Sequence, residues 1–301
     1  MIDTPAQDIP GDQEKKYAAK SSVMAAVGLT GLKIAVGLST GSLGILAEAA
    51  HSGLDLAAAA VTWWAIHVAG KPADRDHRYG HGKVENLSAL FETLLLLITC
   101  GWIIHSAADR LISRNVEIEV NVWSFLVMFV SIAVDVSRSR LLFRAAKKYN
   151  SQALEADALH FSTDIWSSAV VILGLFCVKL SEWLNGYEFL HYADAVAAIV
   201  VALIVVKVSV QLGWRTVSAL LDTAPVGMEE QIVRAVERIP GVKNCHQVRL
   251  RPSGPVLFVD LHVLVDGRQS IKKAHALTEE IEQCIQKIVP HSDITVHPEP
   301  G

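Results

Sequence analysis

Two histidine–aspartate pairs stand in apolar surroundings: His51 with Asp55 in AEAAHSGLDLAAAA, and His160 with Asp164 in EADALHFSTDIWSS. Residues four apart share one helix face, with Cβ atoms about 5–6 Å apart, so each pair can aim an imidazole and a carboxylate at one point. Two such helices facing each other supply two nitrogens and two oxygens. That tetrahedral donor set suits a zinc ion, Zn2+, at roughly 2.0–2.2 Å. Taken singly, either pair reads equally as a polar clamp between helices or a proton-pathway group; the repeated spacing is what points to a metal site. Glu48, Glu92, His105, Asp135 and Asp194 also interrupt apolar runs. They lack partners at that spacing and read as packing or hydration groups, with His67 and His191 as interfacial residues.

The elements that position these pairs read as membrane helices. The chain has 301 residues, 51% of them hydrophobic, and a mean hydropathy of +0.34. That exceeds the range of ordinary soluble domains. A bilayer core of roughly 30 Å needs about 20 helical residues, and six such segments can be marked at about residues 21–40, 43–69, 84–110, 120–145, 152–180 and 191–213. A soluble bundle is the alternative, disfavoured by these lengths. His51 lies about 12 Å into its span at 1.5 Å per residue, near the bilayer middle. An ionisable group there costs several kcal/mol unless paired, and a bound dication offsets that cost.

Lysine and arginine set the orientation. Lys15, Lys16 and Lys20 precede the first span, Lys71, Arg75, Arg78 and Lys83 follow the second, and Arg138, Arg140, Arg144, Lys147 and Lys148 follow the fourth. The alternate connections hold few: Arg110 and Arg114 after the third span, Lys179 after the fifth. The positive-inside rule then places both termini in the cytoplasm. Residues 1–20 read as a polar cytoplasmic tail, 21–213 as the six-span domain and 214–301 as a cytoplasmic domain. The first 20 residues lack the apolar core of a signal peptide, and with the basic loops this fits a bacterial inner membrane. The net charge of −4 with no polybasic block excludes nucleic acid as an expected partner. Cys100, Cys177, Cys245 and Cys284 form no CxxC pair, so neither a disulfide framework nor a thiolate zinc site is expected.

After WRTVSALLDTAP the periodicity shifts to an αββαβ order. GMEEQIVRAVERIPGV and SIKKAHALTEEIEQCIQKIV are amphipathic helices. KNCHQVRLRPSG and PVLFVDLHVLVD alternate in period two, with Val259, Leu261, Val263 and Val265 on one face and Asp260, His262 and Asp266 on the other. SDITVHPEP is a last strand, on which His297 and Glu299 share a face. His246, His262, His275, His297 and Glu299 all fall in this domain. Each histidine alone reads as a surface residue; their clustering on polar strand faces reads as a site.

The paired motifs on the second and fifth spans make the chain similar to the cation diffusion facilitators, a family of six-span, dimeric divalent-metal exporters with a cytoplasmic C-terminal domain. The resemblance runs from about Ser21 to Glu299. It implies a membrane all-α six-helix bundle plus a small metallochaperone-like α+β domain, with His51, Asp55, His160 and Asp164 as the transport site. A histidine at the first position resembles the zinc-preferring members. The loop KPADRDHRYGHGKVE is similar to the family's cytoplasmic linker, in which Asp74, His77 and His81 would form a second site. Without the family that loop reads as a solvated turn of moderate metal affinity, with His77 and His81 able to meet on one helical turn. The resemblance further implies a binuclear zinc site in the C-terminal domain bridging a homodimer, with Glu299 where the family usually has aspartate. It also implies a charge pair, Lys83 with Asp222, at the dimer's waist.

The function so implied is zinc export from the cytoplasm, with divalent metal ions and protons moving in opposite directions across the lipid bilayer. Metal binding needs neutral imidazole and ionised carboxylate, so loading expels protons, and no GxxxxGK[ST] loop is present to use nucleotide. An intramembrane metal-dependent hydrolase is the rival; it would want an open coordination position and a general base, and no HExxH motif occurs. A non-transporting metal sensor or scaffold is the third reading.

Overall fold

The computed structural model describes residues 11–113, 122–184 and 193–301. The start of the polar tail, Arg114 and His191 lie outside these residues, as do the side chains of Arg110, Lys179 and Asp194. Six long helices come first: α1 (Asp12–Thr40), α2 (Leu43–Ala69), α3 (Lys83–Ser113), α4 (Val122–Tyr149), α5 (Gln152–Leu184) and α6 (Ala193–Leu220). The first begins earlier than the polar sequence suggests. Residues Asp12–Lys20 continue α1, because Asp12 and Glu14 favour a helix N-terminus and Lys15, Ala18, Ala19 and Ser22 present a buried stripe.

The corners follow from local chemistry. Gly41 ends α1 in the left-handed region at φ 65°, a conformation glycine adopts without a Cβ penalty, and the Ser42 hydroxyl accepts from the Ile45 amide at 3.4 Å to cap α2. At the α4–α5 corner Asn150 takes φ 50° and Ser151 caps the Leu154 amide at 3.4 Å. α1 packs along α2, α4 along α5 and α3 along α6; α1 also meets α4, and α5 meets both α3 and α6.

The bundle is polar and small-residued inside, apolar outside. Ala18, Ala19, Ala59, Ala145, Ala146, Ala153 and Ala158 bring the helices close around Leu142, Leu154 and Phe161, as small residues do in lipid. Trp63, Trp64, Trp102, Trp166 and Leu54 face outward. Among the described residues, Asp12–Thr40, Lys83–Asp109 and Val196–Leu220 are long and apolar enough to cross a membrane, and the buried ionisable groups are shared among α1 (Lys15, Lys33), α3 (Glu85, Glu92), α4 (Asp135, Arg138) and α5 (Asp157, His160). Arg138, which sequence reading counts among the basic residues flanking the fourth span, is 5% exposed inside α4. It stacks 3.5 Å over the Phe161 ring and reaches Ser22 Oγ at 3.1 Å.

The C-terminal domain has the order α7 (Met228–Val236), β1 (Asn244–Ser253), β2 (Val256–Val265), α8 (Ile271–Ile288) and β3 (Ser292–Pro300). β2 lies between β1, its antiparallel partner, and β3, its parallel partner. Val259, Leu261, Val263 and Val265 pack against Ile232 and Val236 of α7 and Ile281 and Ile285 of α8. β1 departs from simple alternation. Cys245 and Leu250 are both in the core although they are five positions apart, an odd offset that strict alternation would put on opposite faces, and the register shifts between His246 and Arg249, where Gln247 has φ 49°. This is a β-bulge. It leaves His246 on the open face while Leu250 stays inside.

Ile281→Ala should destabilise the isolated C-terminal domain by about 3 kcal/mol, the usual cost of emptying a fully buried aliphatic site, since Ile281 is 0% exposed. Urea unfolding measures it; an unchanged midpoint would contradict the packing of α8 on the sheet.

Candidate metal centres

Three groups of ligating side chains converge among the described residues. In the helical bundle, His160 Nε2 lies 3.1 Å from Asp55 Oδ1 and 3.9 Å from Asp164 Oδ2. One donor atom from each of Asp55, His160 and Asp164 falls within 4.8 Å of the others. His51 is not brought into this group. Its Nε2 stands 3.9 Å from Asp55 Oδ1, and its side chain is 38% exposed against 6% for His160. The i, i+4 spacing thus places His51 beside Asp55, on the more open side of the cluster.

Further buried groups surround the cluster. Glu92 on α3 accepts from Thr62 Oγ1 at 3.0 Å, and Thr62 is 3.3 Å from Ser88 Oγ. Asp157, one turn before His160, accepts from Ser22 Oγ at 3.3 Å; Arg138 reaches Asp135 at 3.4 Å. Lys33 of α1 donates to Ser52 Oγ at 2.7 Å and Glu48 at 3.3 Å. Glu48, Asp135 and Glu92 therefore have partners, supplied from elsewhere on the helices rather than at the i+4 position. His105 does have an i+4 partner, Asp109 at 3.6 Å, with both side chains exposed. Sequence reasoning passed over Asp157 and Lys33; the signal for Asp157 was its i−3 position on the His160 face.

The second group is in the α2–α3 loop. Asp74 lies 3.4 Å from His77 Nδ1 and 3.4 Å from His81 Nε2, and the imidazole centroids are 4.3 Å apart. The residues meet through a turn rather than on a helical turn: Gly80 at φ 73° donates its amide to the His77 carbonyl at 3.0 Å. The backbone amide of His77, at 2.6 Å, and that of Asp76 hold the Asp74 carboxyl below its ordinary pKa. The loop rests on the C-terminal domain. Arg251 lies 3.8 Å over the Tyr79 ring, which meets Phe258 edge-on at 5.3 Å, and the Gly254 amide donates to Asn86 Oδ1 at 3.0 Å.

The third group lies across the sheet. His246 pairs with His262 and His262 with His297, so the three strands carry one row of imidazoles, with ring centroids 5.7 and 4.7 Å apart. Glu299 bridges them, 2.8 Å from His262 Nδ1 and 3.3 Å from His246 Nε2, and His297 Nε2 is 4.0 Å away. The hydrogen bond from His262, with the neighbouring imidazoles, keeps the Glu299 carboxyl below the ordinary glutamate range. His275 is not part of this group. It sits on α8, 72% exposed, facing Glu279 at 3.6 Å, because α8 covers the apolar face of the sheet and the histidine row lies on the opposite one. Lys83 Nζ meets Asp222 Oδ1 at 2.7 Å and the Leu220 carbonyl at 3.3 Å, joining the start of α3 to the end of α6.

Apolar helices closed around a carboxylate–imidazole cluster, with a small α+β domain carrying its own ligand row, define a membrane transporter of cations. Residues 19–221 match the cation efflux transmembrane domain and residues 225–301 the cation efflux protein cytoplasmic domain. The chain belongs to this family, the cation diffusion facilitators, and is a cation efflux transporter, not an enzyme. An uncharacterized transporter of Synechocystis is 32% identical over 93% of this chain and 88% of its own length. The cation-efflux pump FieF of Serratia proteamaculans is 31% identical over 95% of both chains. The solved MamM-CTD, 25% identical, covers 25% of this chain and 95% of its own, at a TM-score of 0.24.

Proposed function

We propose that the protein is a homodimeric carrier that exports zinc from the cytoplasm in exchange for protons, with both termini cytoplasmic in a bacterial inner membrane. The convergence of Asp55, His160 and Asp164, with His51 Nε2 beside them at 3.9 Å from Asp55 Oδ1, is the observation that supports it. Two imidazole nitrogens and two carboxylate oxygens favour zinc over the harder divalent ions, which prefer all-oxygen sites. The metal competes with protons for every one of these donors, so a proton arriving at the site assists release. Alternating access comes from helices rocking about this midplane cluster.

The loop group and the histidine row are regulatory on this reading. Zinc at His246, His262, His297 and Glu299 biases the carrier only if it binds one dimer arrangement better than another. The test is flux in proteoliposomes: zinc uptake should alkalinise the lumen in step with metal movement, and uptake driven by an imposed proton gradient should collapse with a protonophore. Zinc movement with no proton counterflow would remove the antiport, and equal rates for zinc, cadmium, iron and manganese would remove the selectivity.

A further inference from the structure

The first turn of α1 is wedged into the end of the bundle that faces the C-terminal domain. Lys15 Nζ donates to Glu85 Oε1 on α3 at 2.5 Å, and Ser151 Oγ at the α4–α5 corner donates to Glu85 Oε2 at 2.5 Å. Lys15 is 1% exposed and Glu85 0%. Around this triad Glu14 accepts from Lys148 of α4 at 2.8 Å, the Asp12 carboxylate lies against Gly70 at the end of α2, and Asn86 donates to Gln152 of α5 at 2.9 Å. The same short turn thus touches α2, α3 and α4.

The Lys15–Glu85 pair joins two helices that are not packed along each other, and Ser151 adds to the contact that α5 already makes with α3. α1 belongs with α2 and α4, while Glu85 is on α3, whose long partner is α6. Lys83 and Asp222 do not bridge this division, since they link α3 to the end of α6. At 1.5 Å per residue, Glu85 and Lys15 lie about 3–5 Å from the starts of their helices and His160 about 12 Å along α5. The triad therefore stands between the metal cluster and that end of the bundle, and His160 behind it is 5% exposed.

A static seal would not need charge. A buried ion pair pays several kcal/mol of desolvation per ion, and apolar residues of similar volume often hold as well or better. An ion pair differs in what happens when it parts: both groups recover water, whereas an apolar seal would expose its surface. We propose that Lys15, Glu85 and Ser151 form the gate that closes the metal path on the side of the cytoplasmic domain, and that it parts once in each transport cycle as the α3–α6 pair separates from α1 and α5. This rests on the reading that the Asp55–His160–Asp164 cluster is the transport site.

The experiment uses the full-length carrier with its four native cysteines replaced by serine and Lys15→Cys with Glu85→Cys added. Removing both charges together leaves no lone buried ion. Zinc transport is measured in proteoliposomes before treatment, after bridging the thiols with a short bifunctional methanethiosulfonate, and after reduction. Bridging should slow transport by about tenfold or more, the size of a population trapped in one state, and reduction should restore it. A bridged carrier that transports at the unbridged rate overturns the gate. A second readout does not depend on flux: Ala156→Cys, buried beside Ala89 and Leu212 where α5 meets α3 and α6, should react faster with maleimide when Glu85→Gln weakens the triad. Equal reactivity with and without Glu85→Gln also overturns the gate. Normal transport by Asp164→Asn would instead remove the cluster as transport site, a separate failure from either of these.

Discussion

Asp55→Asn, His160→Ala, Asp164→Asn and His51→Ala should each abolish zinc transport in vesicles while leaving a folded protein by size exclusion. Loss of even an outer partner of a metal ligand costs 10–100-fold, so removing a ligand should lower the rate by more than about 100-fold. Asp164→Asn is the sharpest of the four. It preserves shape and hydrogen-bonding capacity, removes only the charge, and leaves His160 with Asp55 as its remaining partner at 3.1 Å. Near-parental transport by any two of these variants would contradict the four-ligand site.

The second large effect belongs to the C-terminal domain. The fragment from residue 225 to 301 has its own core, built from one sheet face and two helices, and should fold alone and bind zinc. Changing His246 and His262 to alanine and Glu299 to glutamine together should lower its zinc affinity by at least about 100-fold, because Glu299 contacts both imidazoles at 3.3 Å or less. Calorimetry on the fragment decides it. A parental affinity and stoichiometry in the triple variant would remove the site and the proposed sensing step with it.

Much of this architecture is legible in local patterns. The lengths of the apolar runs mark the long helices, period-two alternation marks β2, and the two i, i+4 pairs lead to Asp55, His160 and Asp164. What local pattern does not carry is the choice of partner across the fold. Lys15 reads as a charge of a polar tail, and its meeting with Glu85, 70 residues on, is fixed only by how α1 packs. Arg138 reads as a flanking charge because spacing to the lipid boundary is a matter of residue counting, while its burial depends on Ser22, Asp135 and Phe161. His275 shares a domain with the histidine row but sits on the helix covering the other face. His51 is correctly placed beside Asp55; which way an imidazole rotates on a helix is a side-chain matter that spacing does not decide.

The bulge at Gln247 makes the backbone conformation of one residue in β1 a functional quantity. Cys245 and Leu250 are five positions apart, so straightening the strand with Gln247 retained would turn His246 toward Val236 and Ile281 or drive Leu250 out of the core, whereas deleting Gln247 would make the offset even and leave both faces as they are. Descendants of this gene that keep the extra residue are therefore expected to keep at that position a side chain that tolerates positive φ, while a homologue that has lost the residue can still carry the first histidine on the open face.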